Sequence, residues 1–191
     1  MTKRKLTIAA FILVALAQLY VPAAMIFERE DILSNGKEFR FKVAPVDPND
    51  PFRGKYITLN YQNNSIEVLA KEDWVMDETV YVVLGEDPDG FAQIKSVSRE
   101  KPAGEQDFVT AKVDNLIFND TWEIVIGYPF VRFYMEESKA PRAEIEYNNA
   151  LRDSTRVTWA LVSIKNGEAV LKDVIIDGVS VGKLSDGGSA K

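Results

Sequence analysis

An apolar run of 21 residues near the N-terminus places the strongest constraint on what this chain can form. The run extends from Leu6 to Ile26 and contains one strongly polar side chain, Gln18. A helix of about 20 residues crosses the hydrocarbon core of a bilayer. The run therefore predicts one transmembrane helix, and the membrane, crossed once, is the first expected partner.

The charges on either side of the run predict its orientation. Lys3, Arg4 and Lys5 precede it, and the first acidic residue is Glu28. Basic residues next to a membrane span stay in the cytoplasm. We therefore expect a cytoplasmic N-terminus at residues 1–5, an anchor at 6–27, an extracytoplasmic domain at 28–184 and a disordered tail at 185–191.

A cleaved signal peptide is the alternative to an anchor. The segment Val21-Pro22-Ala23 has residues small enough for cleavage after Ala23, and a basic start is typical of signal peptides. The length of the apolar run, which continues through Phe27, favours the uncleaved anchor. Both interpretations place the domain outside the cytoplasm.

The composition of the domain excludes several classes of function. Three of the 23 basic residues precede Glu28, which leaves 20 against 29 acidic residues and a balance of −9. A nucleic-acid-binding domain needs a basic surface, so we expect no nucleic-acid partner. The chain has no Cys and no His, the residues behind most thiolate chemistry, metal binding and acid–base catalysis near neutral pH. We predict no catalytic residue, metal site or cofactor.

Polar and apolar residues alternate through most of the domain, which is typical of half-buried strands. In the first strand Phe39, Phe41 and Val43 share one face, and in the next Ile57, Leu59 and Tyr61 do so. Predicted strands cover 38–43, 55–61, 79–84, 91–97, 108–113, 122–126, 131–135, 157–165 and 169–176. The predicted fold is mainly β (α+β), an antiparallel sandwich or partly open barrel with one or two short helices.

Helix and turn signals separate these strands. Ala143, Tyr147, Ala150 and Leu151 lie on one face of a short helix with Pro141 in its first turn. Tight turns are predicted at 35–36, 87–90, 166–167 and 177–178, each containing Gly after Asn or Asp. The segment 99–107 is predicted to be a long mobile loop.

The most unusual segment is Pro45–Tyr61, with the sequence PVDPNDPFRGKYITLNY. Its prolines recur every third residue, and a polyproline II helix has three residues per turn. That spacing places Asp47, Asp50 and Arg53 on one edge, and Gly54 allows a turn into the strand that starts at Lys55.

This segment resembles the signature of the GDYxxLxY family of bacterial membrane-anchored proteins, P-x-D-P-x-D-P-x-R-G-D-Y-x-x-L-x-Y. Ten positions match: Pro45, Asp47, Pro48, Asp50, Pro51, Arg53, Gly54, Tyr56, Leu59 and Tyr61. Lys55 departs from the pattern, since the family has Asp there. The resemblance also covers the anchor and the segment Arg132-Phe133-Tyr134 leading to Glu136.

The resemblance implies an exported domain of unknown activity, held at the inner (cytoplasmic) membrane of a bacterium. It is similar to proteins often encoded beside multi-pass membrane proteins, which makes such a protein an expected partner. The family supplies no catalytic residues.

Two interpretations of the motif stay open. Asp and Arg beside Pro and Gly commonly hydrogen-bond turn backbone and each other, which favours a structural staple. The same strip could instead be an exposed binding surface. Lys55 excludes any metal-binding or acid role that depends on the family's Asp.

Other candidate chemistry is weaker. Glu86 with the segment Asp87-Pro88-Asp89-Gly90 lacks the full ligand spacing of a calcium loop, so a hairpin turn is favoured. Glu144 and Glu146 are expected on a solvated helix face, and Trp74, Trp122 and Trp159 as core or interface anchors.

We therefore predict an extracytoplasmic interaction module that docks on a multi-pass membrane protein or an envelope component. The alternative is an unorthodox extracytoplasmic hydrolase or ligand-processing domain that uses Asp, Glu, Ser or Lys. No Ser lies in a recognisable nucleophile motif.

Overall fold

Three helices and twelve strands form within residues 3–45, 56–69, 73–104 and 107–186, the part of the chain that the computed structural model describes. In chain order they are α1 Lys3–Asn35, β1 Lys37–Ala44, β2 Tyr56–Thr58, β3 Asn60–Tyr61, β4 Ser65–Val68, β5 Thr79–Glu86, β6 Ala92–Ser98, β7 Phe108–Asn119, β8 Thr121–Gly127, β9 Arg132–Tyr134, α2 Ala140–Arg152, β10 Thr158–Lys165, β11 Glu168–Ile176, β12 Val179–Ser180 and α3 Val181–Asp186.

The long helix α1 contains the predicted anchor and continues beyond it. It is the one helix in the described residues that is long and apolar enough to cross a membrane. Its mean hydropathy over 18 residues is 2.2, and none of those residues is buried. It ends where the N–H of Gly36 donates to the carbonyl of Ile32, 2.8 Å away. A Cβ on Gly36 would lie 2.4 Å from that carbonyl oxygen, so the chain needs glycine at this exit.

Two antiparallel five-stranded sheets form the described part of the domain. One has the order β12-β11-β10-β1-β3 and the other the order β4-β8-β7-β5-β6, while β2 and β9 form a separate ribbon. The sheets meet where the N–H of Thr110 on β7 donates to the carbonyl of Gly167, 2.8 Å away in the β10–β11 turn. The result is a nearly closed, barrel-like arrangement, which confirms the mainly β prediction and favours the barrel over the sandwich.

The alternating pattern correctly identified the core faces of the first strands. Phe39, Phe41 and Val43 of β1 are all buried, as are Ile57, Leu59 and Tyr61. Burial of such side chains stabilises the domain by about 1.5–3 kcal/mol each, so a domain without disulfides can rely on this core.

Several strands differ from the prediction, and two of them bear on the motif and its surroundings. The predicted strand at 55–61 is divided at Leu59, because β2 pairs with β9 whereas β3 pairs with β1. The N–H of Leu59 donates to the carbonyl of Val131 at this change of partner, 2.8 Å away. The short strand β4 was not predicted.

The helix and turn predictions are confirmed at most positions. Ala143, Tyr147 and Ala150 of α2 are buried, and Pro141 lies in its first turn. The left-handed φ angles of 54° and 90° at Asn166-Gly167, and of 50° and 84° at Asp177-Gly178, are those of tight hairpin turns. Helix α3 includes residues 185 and 186, and the rest of the predicted tail lies outside the described residues.

Both described ends of the predicted loop at 99–107 make contacts. Arg99 forms an ion pair with Glu78 and its guanidinium lies 4.0 Å from the centre of the Trp74 ring. At the other end Asp107 forms an ion pair with Lys37. The segment therefore leaves and re-enters the domain at fixed points.

Candidate functional site

The structure describes the second half of the predicted motif. Tyr56, Leu59 and Tyr61 are described, whereas Asp47, Asp50, Arg53, Gly54 and Lys55 lie outside the described residues. The geometry therefore describes the part of the signature that contains Tyr56, Leu59 and Tyr61. The choice between staple and binding surface for the charged half stays a prediction.

Leu59 and Tyr61 are core residues. The Tyr61 hydroxyl is buried and donates to the carbonyl of Phe130, 2.7 Å away. Its ring packs against Phe41, Tyr128 and Phe130, with ring centres in this cluster 5.0–5.7 Å apart. Burial disfavours the phenolate and raises the pKa of Tyr61, and it raises the pKa of Tyr128 in the same way. Both phenols stay neutral across the physiological range and act by packing.

Tyr56 has a different environment, on the ribbon formed by β2 and β9. It lies opposite Tyr134 in the register, with ring centres 5.5 Å apart, and Thr58 lies opposite Arg132. The Arg132 guanidinium is 5.1 Å from the centre of the Tyr56 ring, within the range of a cation–π contact. The structure thus brings together the two segments that resemble the family, 56–61 and 132–134.

This ribbon separates two roles within the motif. Leu59 and Tyr61 face the core, whereas Tyr56 is half-buried and Tyr134 is exposed. An exposed aromatic beside a guanidinium can contact a planar or charged group of a partner.

The acidic segment at 87–90 forms the predicted hairpin turn. Asp87 Oδ1 accepts hydrogen bonds from the N–H groups of Asp89 and Phe91, at 3.0 and 2.8 Å. Gly90 closes the turn with a φ of 77°. Within the described residues no group of three or more His, Cys, Asp or Glu is placed to hold a metal ion.

Nothing in the described geometry assembles a nucleophile for hydrolysis. Among the described serines, the hydrogen bonds to other side chains join Ser138 to Glu136 and Ser180 to Asp173, both serine-to-carboxylate pairs. Glu144 and Glu146 of α2 are half-buried rather than fully solvated. No described serine is hydrogen-bonded to a lysine amine, which is the pair that a Ser–Lys hydrolase requires.

Two of the three tryptophans line a cleft that the sequence did not reveal. This distal cleft is formed by Val68, Leu69, Asp73, Trp74, Leu116 and Trp122. Phe118 adjoins it, with its ring centre 5.1 Å from that of Trp122. Trp159 lies elsewhere and packs against Phe91, with ring centres 6.1 Å apart. The sequence predicts Trp74 and Trp122 as core or interface anchors. Their presence in one cleft depends on how the strands pair, which the sequence alone does not show.

Comparison with known proteins identifies the family. A search of curated proteins finds no match, and a search of solved structures finds none either. The profile of the GDYXXLXY protein family matches residues 18–174, a stretch that runs from within α1 to β11 and includes the motif at 45–61. This match covers most of the chain. The chain therefore belongs to the GDYXXLXY protein family.

Proposed function

We propose that this chain is a single-span anchored interaction module of a bacterial inner membrane, with its domain outside the cytoplasm, and that it associates with a multi-pass membrane protein. The observation that carries the proposal is Gln18, a polar amide near the middle of the apolar part of α1.

The position of Gln18 favours a partner in the membrane. It lies two residues from the centre of the run Leu6–Ile26, about 3 Å at the rise of an α-helix. Its side chain is exposed and makes no hydrogen bond to any described residue of its own chain. A polar group left unpaired in hydrocarbon carries a penalty of a few kcal/mol, and a neighbouring transmembrane helix can relieve it. A multi-pass protein presents several such helices.

The junction between α1 and the domain supports the same function. Ile32 is buried, the Lys165 amine donates to Asp31 at 2.7 Å, and Arg29 donates to the carbonyl of Ala169 at 3.2 Å. The helix thus joins the β10–β11 hairpin without a flexible linker. A partner that fixes the helix in the membrane would also fix the orientation of the domain.

The same continuity favours an anchor over a cleaved signal peptide. Helix α1 passes through Ala23 without a break and remains helical to Asn35. Cleavage after Ala23 would remove most of the apolar part of α1 and leave the part of the helix that docks on the β10–β11 hairpin. Full-length chain in purified membranes, with its N-terminus intact by mass spectrometry, is the expected result.

Orientation is tested with reporters fused after Lys191. A reporter active only after export should be active, and neutral replacements of Lys3, Arg4 and Lys5 should weaken the effect. An active cytoplasmic reporter with a silent exported one would refute the proposed topology.

Association is tested by purification in mild detergent followed by mass spectrometry. Gln18→Leu should reduce recovery of a multi-pass partner by roughly 3- to 30-fold, since interhelical hydrogen bonds contribute about 0.6–2 kcal/mol. Leu19→Ala is the matched control, because it changes the adjacent residue and keeps the amide. Equal recovery with Gln18→Leu, or recovery of only a second copy of this chain, would contradict the proposal.

A further inference from the structure

We infer that the distal cleft binds an extended, basic segment of a partner protein, which inserts a large apolar side chain between Trp74 and Trp122. This inference rests on the cleft itself and is independent of the proposed role of Gln18.

The cleft is the uncovered end of the hydrophobic core. In the register, Leu116 and Ile66 lie opposite Ile124, a fully buried residue, on either side of β8. Two positions further, Phe118 and Val68 lie opposite Trp122. Because cross-strand partners share a face of the sheet, these side chains continue the inward face beyond the point where the core is covered.

The exposure of this inward face is unusual for a soluble surface. Phe118 is 60% exposed, Trp122 is 39% exposed and Leu69 is 72% exposed. The cleft encloses about 190 Å³, room for one large apolar side chain. Contiguous apolar surface next to aromatic residues marks interaction sites in monomeric proteins.

The charges around the cleft indicate the chemistry of the partner. Asp73 lines it, and Asp120 lies at the tip of the β7–β8 hairpin. Both carboxylates would attract a basic segment that lies in the cleft. Arg99, the basic residue at Trp74, is already paired with Glu78.

The position of the cleft favours a protein over the bilayer. Strand β7 starts at Phe108 beside Gly167, in the hairpin to which α1 docks, and runs ten residues to Phe118. At about 3.3 Å per residue the cleft lies roughly 30 Å from the end that carries the anchor. A partner segment in the envelope can reach the cleft at that distance.

The test uses the full-length chain in nanodiscs of uncharged lipid, with empty nanodiscs as the blank. The probes are two fluorescein-labelled peptides, Lys-Lys-Leu-Trp-Leu-Lys-Lys and its counterpart with Glu in place of every Lys. Fluorescence anisotropy should show binding of the basic peptide that weakens with salt, and at least about tenfold weaker binding of the acidic peptide. Trp122→Ala should reduce the affinity for the basic peptide at least about tenfold.

Further variants keep the result interpretable. Phe118→Ser changes a more exposed residue of the same surface and should also weaken binding, without a change in the unfolding midpoint. Ile145→Ser, on α2 and 60% exposed, is the matched control and should bind normally. Equal affinity for both peptides, or unchanged affinity in Trp122→Ala and Phe118→Ser, would overturn the inference. A dimer of this chain that Trp122→Ala abolishes would also overturn it, because the occupant would then be a second copy.

Discussion

Gly167 offers a direct test of how the two sheets are joined. It lies in a hairpin turn with a φ of 90°, and a Cβ at this position would lie 2.5 Å from Phe108 Cε2 and 2.9 Å from Thr110 Oγ1. Phe108 is buried and packs edge-on against Tyr81, so its ring has little room to move. Gly178 has nearly the same conformation, with a φ of 84°, but no atom lies within 4 Å of the corresponding Cβ.

The two glycines therefore separate backbone strain from close packing. Gly178→Ala should lower the free energy of unfolding by about 1–2 kcal/mol, the penalty for a left-handed alanine. Gly167→Ala carries that penalty and a further ~1–3 kcal/mol for forcing atoms into an occupied space. The expected total for Gly167→Ala is roughly 2–5 kcal/mol.

Urea unfolding of the detergent-solubilised full chain, followed by tryptophan fluorescence, measures both values. All three tryptophans, Trp74, Trp122 and Trp159, lie in the domain and report on its unfolding. Equal losses in Gly167→Ala and Gly178→Ala would refute the argument that the sheets need a glycine where they meet.

Three further predictions concern the motif and its surroundings. Tyr61→Phe removes the donor to the Phe130 carbonyl and should lower the free energy of unfolding by about 1–2 kcal/mol in the same urea assay; no loss would show that the bond is dispensable. Because burial raises the pKa of Tyr61 and Tyr128 above the unfolded value of about 10, stability should be fully present below that pH. It should then fall by up to ~1.4 kcal/mol per pH unit for each tyrosine above it, and a double Phe variant that keeps this slope would contradict the assignment. As a staple residue, Arg53→Ala should lower stability by about 3–5 kcal/mol on thermal or urea unfolding, whereas a loss below about 1 kcal/mol together with loss of a co-purifying partner would identify a binding surface.

Local patterns predicted the parts of the fold that depend on local physics. The alternation in β1 predicted burial of Phe39, Phe41 and Val43 because successive strand residues face opposite sides of the sheet. The pairs Asn166-Gly167 and Asp177-Gly178 predicted tight turns because Asn, Asp and Gly tolerate positive φ.

The deviations arise where pairing partners change. The pattern through Leu59 is continuous, so nothing local marks the point where the chain leaves β9 and joins β1. In β7 a bulge between Val113 and Asn115 shifts the register, so the alternation ends early and the strand was predicted to stop at Val113 rather than Asn119.

The same reasoning explains which site features were predicted. The motif was visible because its residues are consecutive, and its second half folds onto the predicted segment at 132–134. The distal cleft was not visible, because its lining comes from β4, β7, β8 and the connection that contains Trp74. Aromatic residues far apart in sequence carry no sign of their proximity until the register is known.

The two ends of the domain are mechanically connected, which bears on how an anchored module could operate. Helix α1 docks on the β10–β11 hairpin, and the turn of that hairpin bonds to Thr110 near the start of β7. Strand β7 then runs to Phe118 at the distal cleft, paired with β5 or β8 along its length. Hydrogen-bonded strands are stiff compared with loops, so the position of α1 determines where the cleft points. A protein that holds the proposed anchor by Gln18 would therefore also set the direction in which the distal cleft meets a basic segment. The variants Gln18→Leu and Trp122→Ala test whether the two contacts belong to one partner or to two. If each variant loses a different partner, the chain bridges two proteins; if both lose the same partner, the two surfaces bind one protein.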